Sequence, residues 1–328
     1  PLRLLARSLV RWRLQKDLGG LESIAEFQLW LAGYVEKIIR KTTTSLEITG
    51  IDQLDASKSY LWLSNHRDIA LDPTLVNYAL HLSNKPTGRI AIGDNLLTNP
   101  MIGDFMRLNK SFIVKRSIKA KREKFSALQL LSRYIRHSIS EGHSVWIAQR
   151  EGRAKDGIDT TDTAVLKMLS LAGRADKETF SESLQHLNPV PVSISYEFDP
   201  CDILKARELA AIHQGETYLK ADNEDVTSIV TGLMGHKGRV HISFGEEISL
   251  SYFHSAELLA AEMDRQIVNG YACFPINYAA HQLLAQLGKC QLLEQYNEDD
   301  IKSGTKELHS RSEGESEAVK YQLYSMYA

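Results

Sequence analysis

The stretch "SYLWLSNHRDIALDPTLVNYALHL", residues 59–82, changes character halfway along. "SYLWLSN" reads as a strand and "DPTLVNYALHL" as a helix, with His66, Arg67, Asp68 and Asp72 gathered around the passage from one to the other. A strand that runs through titratable residues into a helix is one half of an α/β repeat, and the same alternation continues outward. Further strands are expected at "SLEITGI" (45–51), "GRIAIGDN" (88–95), "KSFIVKRS" (110–117), "HSVWIAQREG" (143–152), "PVPVSISYEF" (189–198) and "GRVHISFGEEI" (238–248). Helices are expected at 124–142, closed by Gly142, and at 163–173, closed by Gly173. Alternating strands and helices predict an α/β core with a central, mostly parallel or mixed sheet flanked by helices, over about residues 45–255.

Two flanking regions differ. Residues 1–44 read as amphipathic helix, with Leu2, Leu4, Leu5, Leu9, Val10 and Leu14 set among Arg3, Arg7, Arg11, Arg13 and Lys16. "SIAEFQLWLAGYVEKII" (23–39) repeats the pattern with Trp30 and Tyr34. A basic amphipathic segment suits an anionic membrane surface, or equally a helix packed on the domain with its basic side in water. Residues 256–328 return to helix and end in a polar tail, "NEDDIKSGTKELHSRSEGESEAVKYQLY" (297–324), expected to be a solvated helix or partly disordered.

Composition bounds the function. At 328 residues, 43% hydrophobic and 24% charged, the chain can bury a full core, and its net charge of −2 argues against a dedicated nucleic-acid binder. Cys201, Cys273 and Cys290 show neither disulfide nor metal-ligand spacing, which points to a reducing compartment. No run approaches the roughly 20 apolar residues of a membrane span. Arginines interrupt "LRLLARSLVRWRL" too often for a signal peptide.

Two unrelated chemistries use a string like "SNHRDIALDP", residues 64–73. A kinase catalytic loop requires Asn five residues after its Asp, where this chain has Pro73. No G-x-G-x-x-G precedes it, and "GDF" (103–105) is not D-F-G, so the kinase reading fails. The alternative finds support in four places. "SNHRDIALDP" resembles the first motif of the glycerolipid acyltransferase family, Asn-His followed by a spacer and Asp. "KSFIVKRS" resembles its second, a strand ending in Arg. "IAQREGRAKDG" (147–157) resembles its third, Glu-Gly-x-Arg, and "NPVPVSISYEF" (188–198) its fourth. "NGYACFPINYAAHQLLAQL" (269–287) is similar to the region downstream of the core in bacterial glycerol-3-phosphate acyltransferases. Two spacings depart from the family pattern. Five residues rather than four separate His66 from Asp72, and Gly152 and Arg153 are adjacent.

The resemblance implies O-acyl transfer from acyl-CoA or acyl-carrier protein to glycerol 3-phosphate or its 1-acyl derivative, lysophosphatidate, in phospholipid biosynthesis. The residue chemistry agrees. Removing a hydroxyl proton near neutral pH suits a histidine, and a carboxylate on the other ring nitrogen fixes its tautomer. His66 is the candidate base. Asp72 is the favoured orienting carboxylate and Asp68 its competitor. No G-x-S-x-G elbow supplies an enzyme nucleophile, and none is needed if the alcohol attacks directly.

By the family analogy Arg116 and Arg153 hold the acceptor phosphate, within motifs that also contain Lys115, Glu151 and Gly152. Guanidinium forks match phosphate oxygens. Lys119, Lys121, Arg122 and Lys124 are expected to meet anionic lipid or an acyl-carrier surface. Residues 92–105 either line an acyl groove through Leu96, Leu97, Met101 and Phe105 or simply pack. Asp94 and Asp104 make no credible metal site, and neither metal nor redox cofactor is expected. The expected location is cytoplasmic, peripheral to the inner face of the cell membrane. The rivals are a thioesterase using the same pair on water and a non-catalytic lipid- or carrier-binding protein.

Overall fold

The computed structural model describes residues 16–98, 100–218, 224–285 and 296–328, with the side chains of 97, 98 and 100–102 outside the description. The basic leucine-rich run at 2–14 lies outside the described residues.

Seven strands form one sheet: β1 (Thr43–Thr49), β2 (Leu61–Ser64), β3 (Arg89–Gly93), β4 (Ser111–Val114), β5 (Val145–Ala148), β6 (Pro189–Tyr196) and β7 (Gly238–Phe244). Their order is β1-β7-β6-β2-β5-β3-β4. The five from β6 to β4 are parallel, while β7 pairs antiparallel with β6 and parallel with β1. The sheet is therefore mixed, with β2 at its centre, and all four residues of β2 are buried. All five parallel strands deliver their following loops to the same edge, where ligand sites of open α/β sheets form. Those loops are the four motif regions and the turn after β3.

The pleat sorts side chains onto two faces. Trp62, Trp146, Val190 and Val192 pack with Val35 and Ile39 of α1 (Ile24–Thr42) and with Leu75 and Val76 of α2 (Leu71–Leu82). Leu61, Leu63, Val145 and Ile147 face the other layer: α4 (Lys121–Ser140), α5 (Thr163–Leu169) and α9 (Ala256–Asn269). The remaining helices are α3 (Pro100–Leu108), α6 (Phe180–Gln185), α7 (Asp202–His213), α8 (Glu224–Met234), α10 (Pro275–Ala285), α11 (Glu298–Arg311) and α12 (Glu317–Tyr327). Gly142, with φ of 83°, makes the turn after α4 as expected. Gly173 does not close α5. It lies inside a 3₁₀ segment (Ser170–Asp176), where a Cβ would stand 2.7 Å from the Ser183 hydroxyl.

The polar tail is helical, as one of the two expectations had it, but packed rather than solvated. It forms α11 and α12, which bury Leu308, Val319, Leu323, Tyr324, Met326 and Tyr327 against Ala206 and Ala210 of α7 and Ile276 of α10. The apolar residues fall on one face at helical spacing, so a mostly polar composition concealed a packing surface. No described helix is long and apolar enough to cross a membrane.

Candidate active site

His66 follows β2 after a single residue, and that residue clamps the loop. The Asn65 side chain accepts from Ile194 N at 2.8 Å and donates to Ile194 O at 3.0 Å, continuing the β2–β6 pairing beyond the strand. On the other side Gln149 N donates to Ser64 O at 2.8 Å and Ala154 N to His66 O at 2.8 Å, so the third motif wraps the same turn.

The imidazole Nδ1 lies 2.9 Å from Asp72 Oδ2. Asp72 is buried in the first turn of α2, where the helix N-terminus favours a carboxylate. Its Oδ2 also accepts from Arg67 N at 2.6 Å and Asp68 N at 2.9 Å, while Oδ1 accepts from the Tyr196 hydroxyl at 2.6 Å. With Nδ1–H donating to Asp72, Nε2 is the ring nitrogen that can accept a proton. The longer spacer does not displace Asp72 from the ring.

Asp68 occupies a different role. Its Oδ1 accepts from Ala70 N at 3.0 Å and Leu71 N at 2.7 Å, tying down the start of α2, and its Oδ2 abuts Gly232 of α8. Burial, with the Asp72 charge beside it, pushes its carboxyl up to about 6.

A cavity of about 450 Å³ opens beside the histidine. His66, Ile69 and Pro73 form one wall; Lys115, Arg116 and Lys124 form another; Arg150, Glu151, Gly152 and Arg153 come from the loop after β5. Val114, Leu128, Leu131, Val165 and Met168 add apolar lining. The candidate residues His66, Lys115, Arg116, Glu151, Gly152 and Arg153 thus meet in one place, and Asp72 stands behind the histidine. Arg153 Nη1 is buried without a protein partner, so its guanidinium has an open donor. Arg116 Nε is 3.8 Å from the exposed Glu151 carboxylate, a loose pair that leaves the fork largely free. Lys155 lines the cavity but is ion-paired to Glu208. Lys119, Lys121 and Arg122 are exposed.

Asp94 is structural here. It accepts from the backbone N–H groups of Arg116 and Ser117, each at 3.2 Å, and so positions the second motif. Among the described residues no group of three His, Cys, Asp or Glu side chains could hold a metal. Leu96 lines the cavity. Phe105 does not; it packs edge-on against Phe27 of α1 at 5.7 Å. The side chains of Leu97 and Met101 lie outside the described residues.

Several supporting residues escape a motif reading. Arg67 donates through Nε and Nη2 to Asp159 Oδ2 at 3.0 and 2.7 Å and to Gly157 O at 3.1 Å. The Tyr271 hydroxyl donates to the same Asp159 oxygen, and Lys205 Nζ to Arg67 O at 2.8 Å. Asp159 and Tyr196 carry no local signal, since they reach the site from 92 and 124 residues away. Asn65 was visible, but only as a motif letter.

Residues 45–170 match the family model described as Acyltransferase. Over 210 residues the chain is 25% identical to a glycerol-3-phosphate acyltransferase of Pseudomonas fluorescens (strain SBW25), covering 64% of this chain and 23% of that protein. The chain therefore spans less than a quarter of the length of that relative. The crystal structure of the 1-acyl-sn-glycerophosphate (LPA) acyltransferase PlsC from Thermotoga maritima aligns with a TM-score of 0.46 at 12% identity, covering 87% of this chain and 90% of that one. Residues 45–170 thus carry an acyltransferase match, and the chain is similar to glycerolipid acyltransferases.

Proposed function

We propose that the chain transfers a fatty acyl group from a thioester, acyl-CoA or acyl-carrier protein, to a hydroxyl of glycerol 3-phosphate or 1-acylglycerol 3-phosphate. The observation that carries this reading is the His66–Asp72 pair on the wall of a cavity that also holds the Arg116 and Arg153 guanidiniums. His66 Nε2 takes the acceptor's hydroxyl proton as the oxygen attacks the thioester carbonyl. The tetrahedral adduct then expels the thiolate, which receives that proton from the imidazolium. Asp72 stabilises the imidazolium while it exists. Arg116 and Arg153 hold the phosphate, so the hydroxyl meets the base in fixed register. The reaction so written uses no metal and no redox cofactor.

The exposed basic residues of 115–124 suit an anionic membrane surface, and we place the protein peripherally on the inner face of the cell membrane. Mass spectrometry of products formed from one long-chain acyl-CoA and one acyl-carrier protein, over a panel of alcohol acceptors, tests the function. Acylated glycerophosphate is expected. Thioester consumption at equal rate without any acceptor would mean hydrolysis instead.

A further inference from the structure

Asp72 uses its two oxygens differently. Oδ2 serves His66 and two backbone amides, whereas Oδ1 receives the Tyr196 hydroxyl at 2.6 Å. Tyr196 is the last residue of β6, the parallel neighbour of β2, and Val192 is in register with Ser64. The same pair of strands therefore brings the histidine loop and the tyrosine to one edge of the sheet. Burial and the Asp72 charge hold the phenol well above its ordinary range, so its proton stays on and it donates in this contact. Shape does not require the hydroxyl, because strand pairing holds the ring and a phenylalanine would occupy the same place.

We propose that Tyr196 is a positioning residue for the acyl transfer: its hydroxyl fixes the plane of the Asp72 carboxylate and draws off part of its charge, and so sets the orientation and basicity of His66. This rests on the reading of His66 as the base. The contact is a strong one, a short hydrogen bond to a charged acceptor in a buried setting. The other charged groups acting on it are Asp68, on the histidine loop, and Asp199, just after β6; Arg67, which shares a pocket lining with Tyr196, has its charge matched by Asp159. Asp199 is itself paired to Lys205 of α7, and Lys237 lies near Asp68.

The test is Tyr196→Phe in the full chain, with kcat, both KM values and the pH profile of kcat/KM measured. Loss of one hydrogen bond to a charged group should lower kcat by about 10-fold. Both KM values should stay within about twofold, because Tyr196 does not line the cavity beside His66. A carboxylate deprived of its donor holds the imidazolium more tightly, so the acid limb of the profile should move to higher pH. Placing 3-fluorotyrosine at position 196 alone gives a stronger donor of nearly the same shape, and it should move that limb to lower pH. The fluorinated variant decides the matter by itself if Tyr196→Phe does not fold. Profiles that superimpose on wild type, with His66→Ala inactive, would overturn the role of Tyr196 and leave the base assignment standing. Turnover retained by His66→Ala would overturn both.

Discussion

Replacing Asp68 with Asn should stabilise the protein at pH 8 and leave acyl transfer largely intact. The carboxyl is buried and raised from 3.8 to about 6, with burial the largest cause and the neighbouring Asp72 charge next. At 1.36 kcal/mol per unit, that rise corresponds to about 3 kcal/mol against the ionised form in the folded state. The sign follows from proton binding. Between about pH 4 and pH 6 the folded chain holds a proton on Asp68 that the unfolded chain has released, so stability falls as pH rises through this window. Above about pH 6 the loss is complete, and below about pH 4 it vanishes.

Asparagine keeps an oxygen for Ala70 N and Leu71 N but brings an amide N–H facing Gly232. It also removes support from Lys237, which burial already lowers to about 8. Those costs should leave a net gain of about 1–2 kcal/mol at pH 8. Urea denaturation of both proteins at pH 8 and pH 4 reads this directly, with Asp68→Asn ahead at pH 8 and level or behind at pH 4. A variant weakened equally at both values would refute the buried-charge argument. A loss of turnover matching that of Asp72→Asn would assign Asp68 to the histidine after all.

Asp72→Asn and His66→Ala should each cut turnover by at least about 100-fold while circular dichroism stays native, since the proposed mechanism makes His66 the base and Asp72 its orienting carboxylate. Arg116→Ala and Arg153→Ala should chiefly raise the acceptor KM, and Arg116→Lys should recover only part of the loss because an ammonium lacks the fork. Unchanged acceptor kinetics in both alanine variants would remove the phosphate assignment. Reversing the charge of Lys119, Lys121 and Arg122 together should weaken sedimentation with anionic vesicles. Each basic residue near such a surface contributes roughly 1 kcal/mol, screened over about 8 Å at physiological salt. Retention equal to wild type would show that these residues only solvate the start of α4.

What could be read from the sequence was what lay close along the chain. β2 is a short apolar run followed within eight residues by both members of the His66–Asp72 pair, and Arg116 lies two residues beyond the end of β4. Strand ends could therefore be matched to chemistry before any topology was known. The sequence favours Asp72 over Asp68, but the geometry behind that preference was not legible there. Both lie within six residues of His66, and only the start of α2 decides which one turns to the ring and which one ties down backbone amides. Tyr196, Asp159 and Tyr271 were out of reach because their partners sit on other strands or loops, and no local pattern marks a cross-strand hydrogen bond. For Phe105 the sequence leaves groove lining and simple packing open, and the structure shows packing. An apolar residue near the site says nothing about which neighbour it will choose, and here, from within α3, it chose α1.

The tail carries the same lesson into the energetics of the site. Gly157 has φ of 81° and would, with a Cβ, press to 2.6 Å from Met326 O, so the loop that wraps His66 leans on the last helix. The Tyr327 hydroxyl accepts from Asp199 N and donates to Asp202, each at 2.8 Å. Asp199 in turn pairs with Lys205, whose ammonium also donates to the Arg67 carbonyl one residue from the histidine. Each of these polar groups is buried or partly buried and satisfied by the next, and a break at one point leaves the following group uncompensated. The two C-terminal helices are thus a buttress for the histidine loop, although most of their residues are polar and none of them lines the cavity. Composition describes the outer face of such helices. The few residues at four-residue spacing that face inward are the ones coupled to the chemistry.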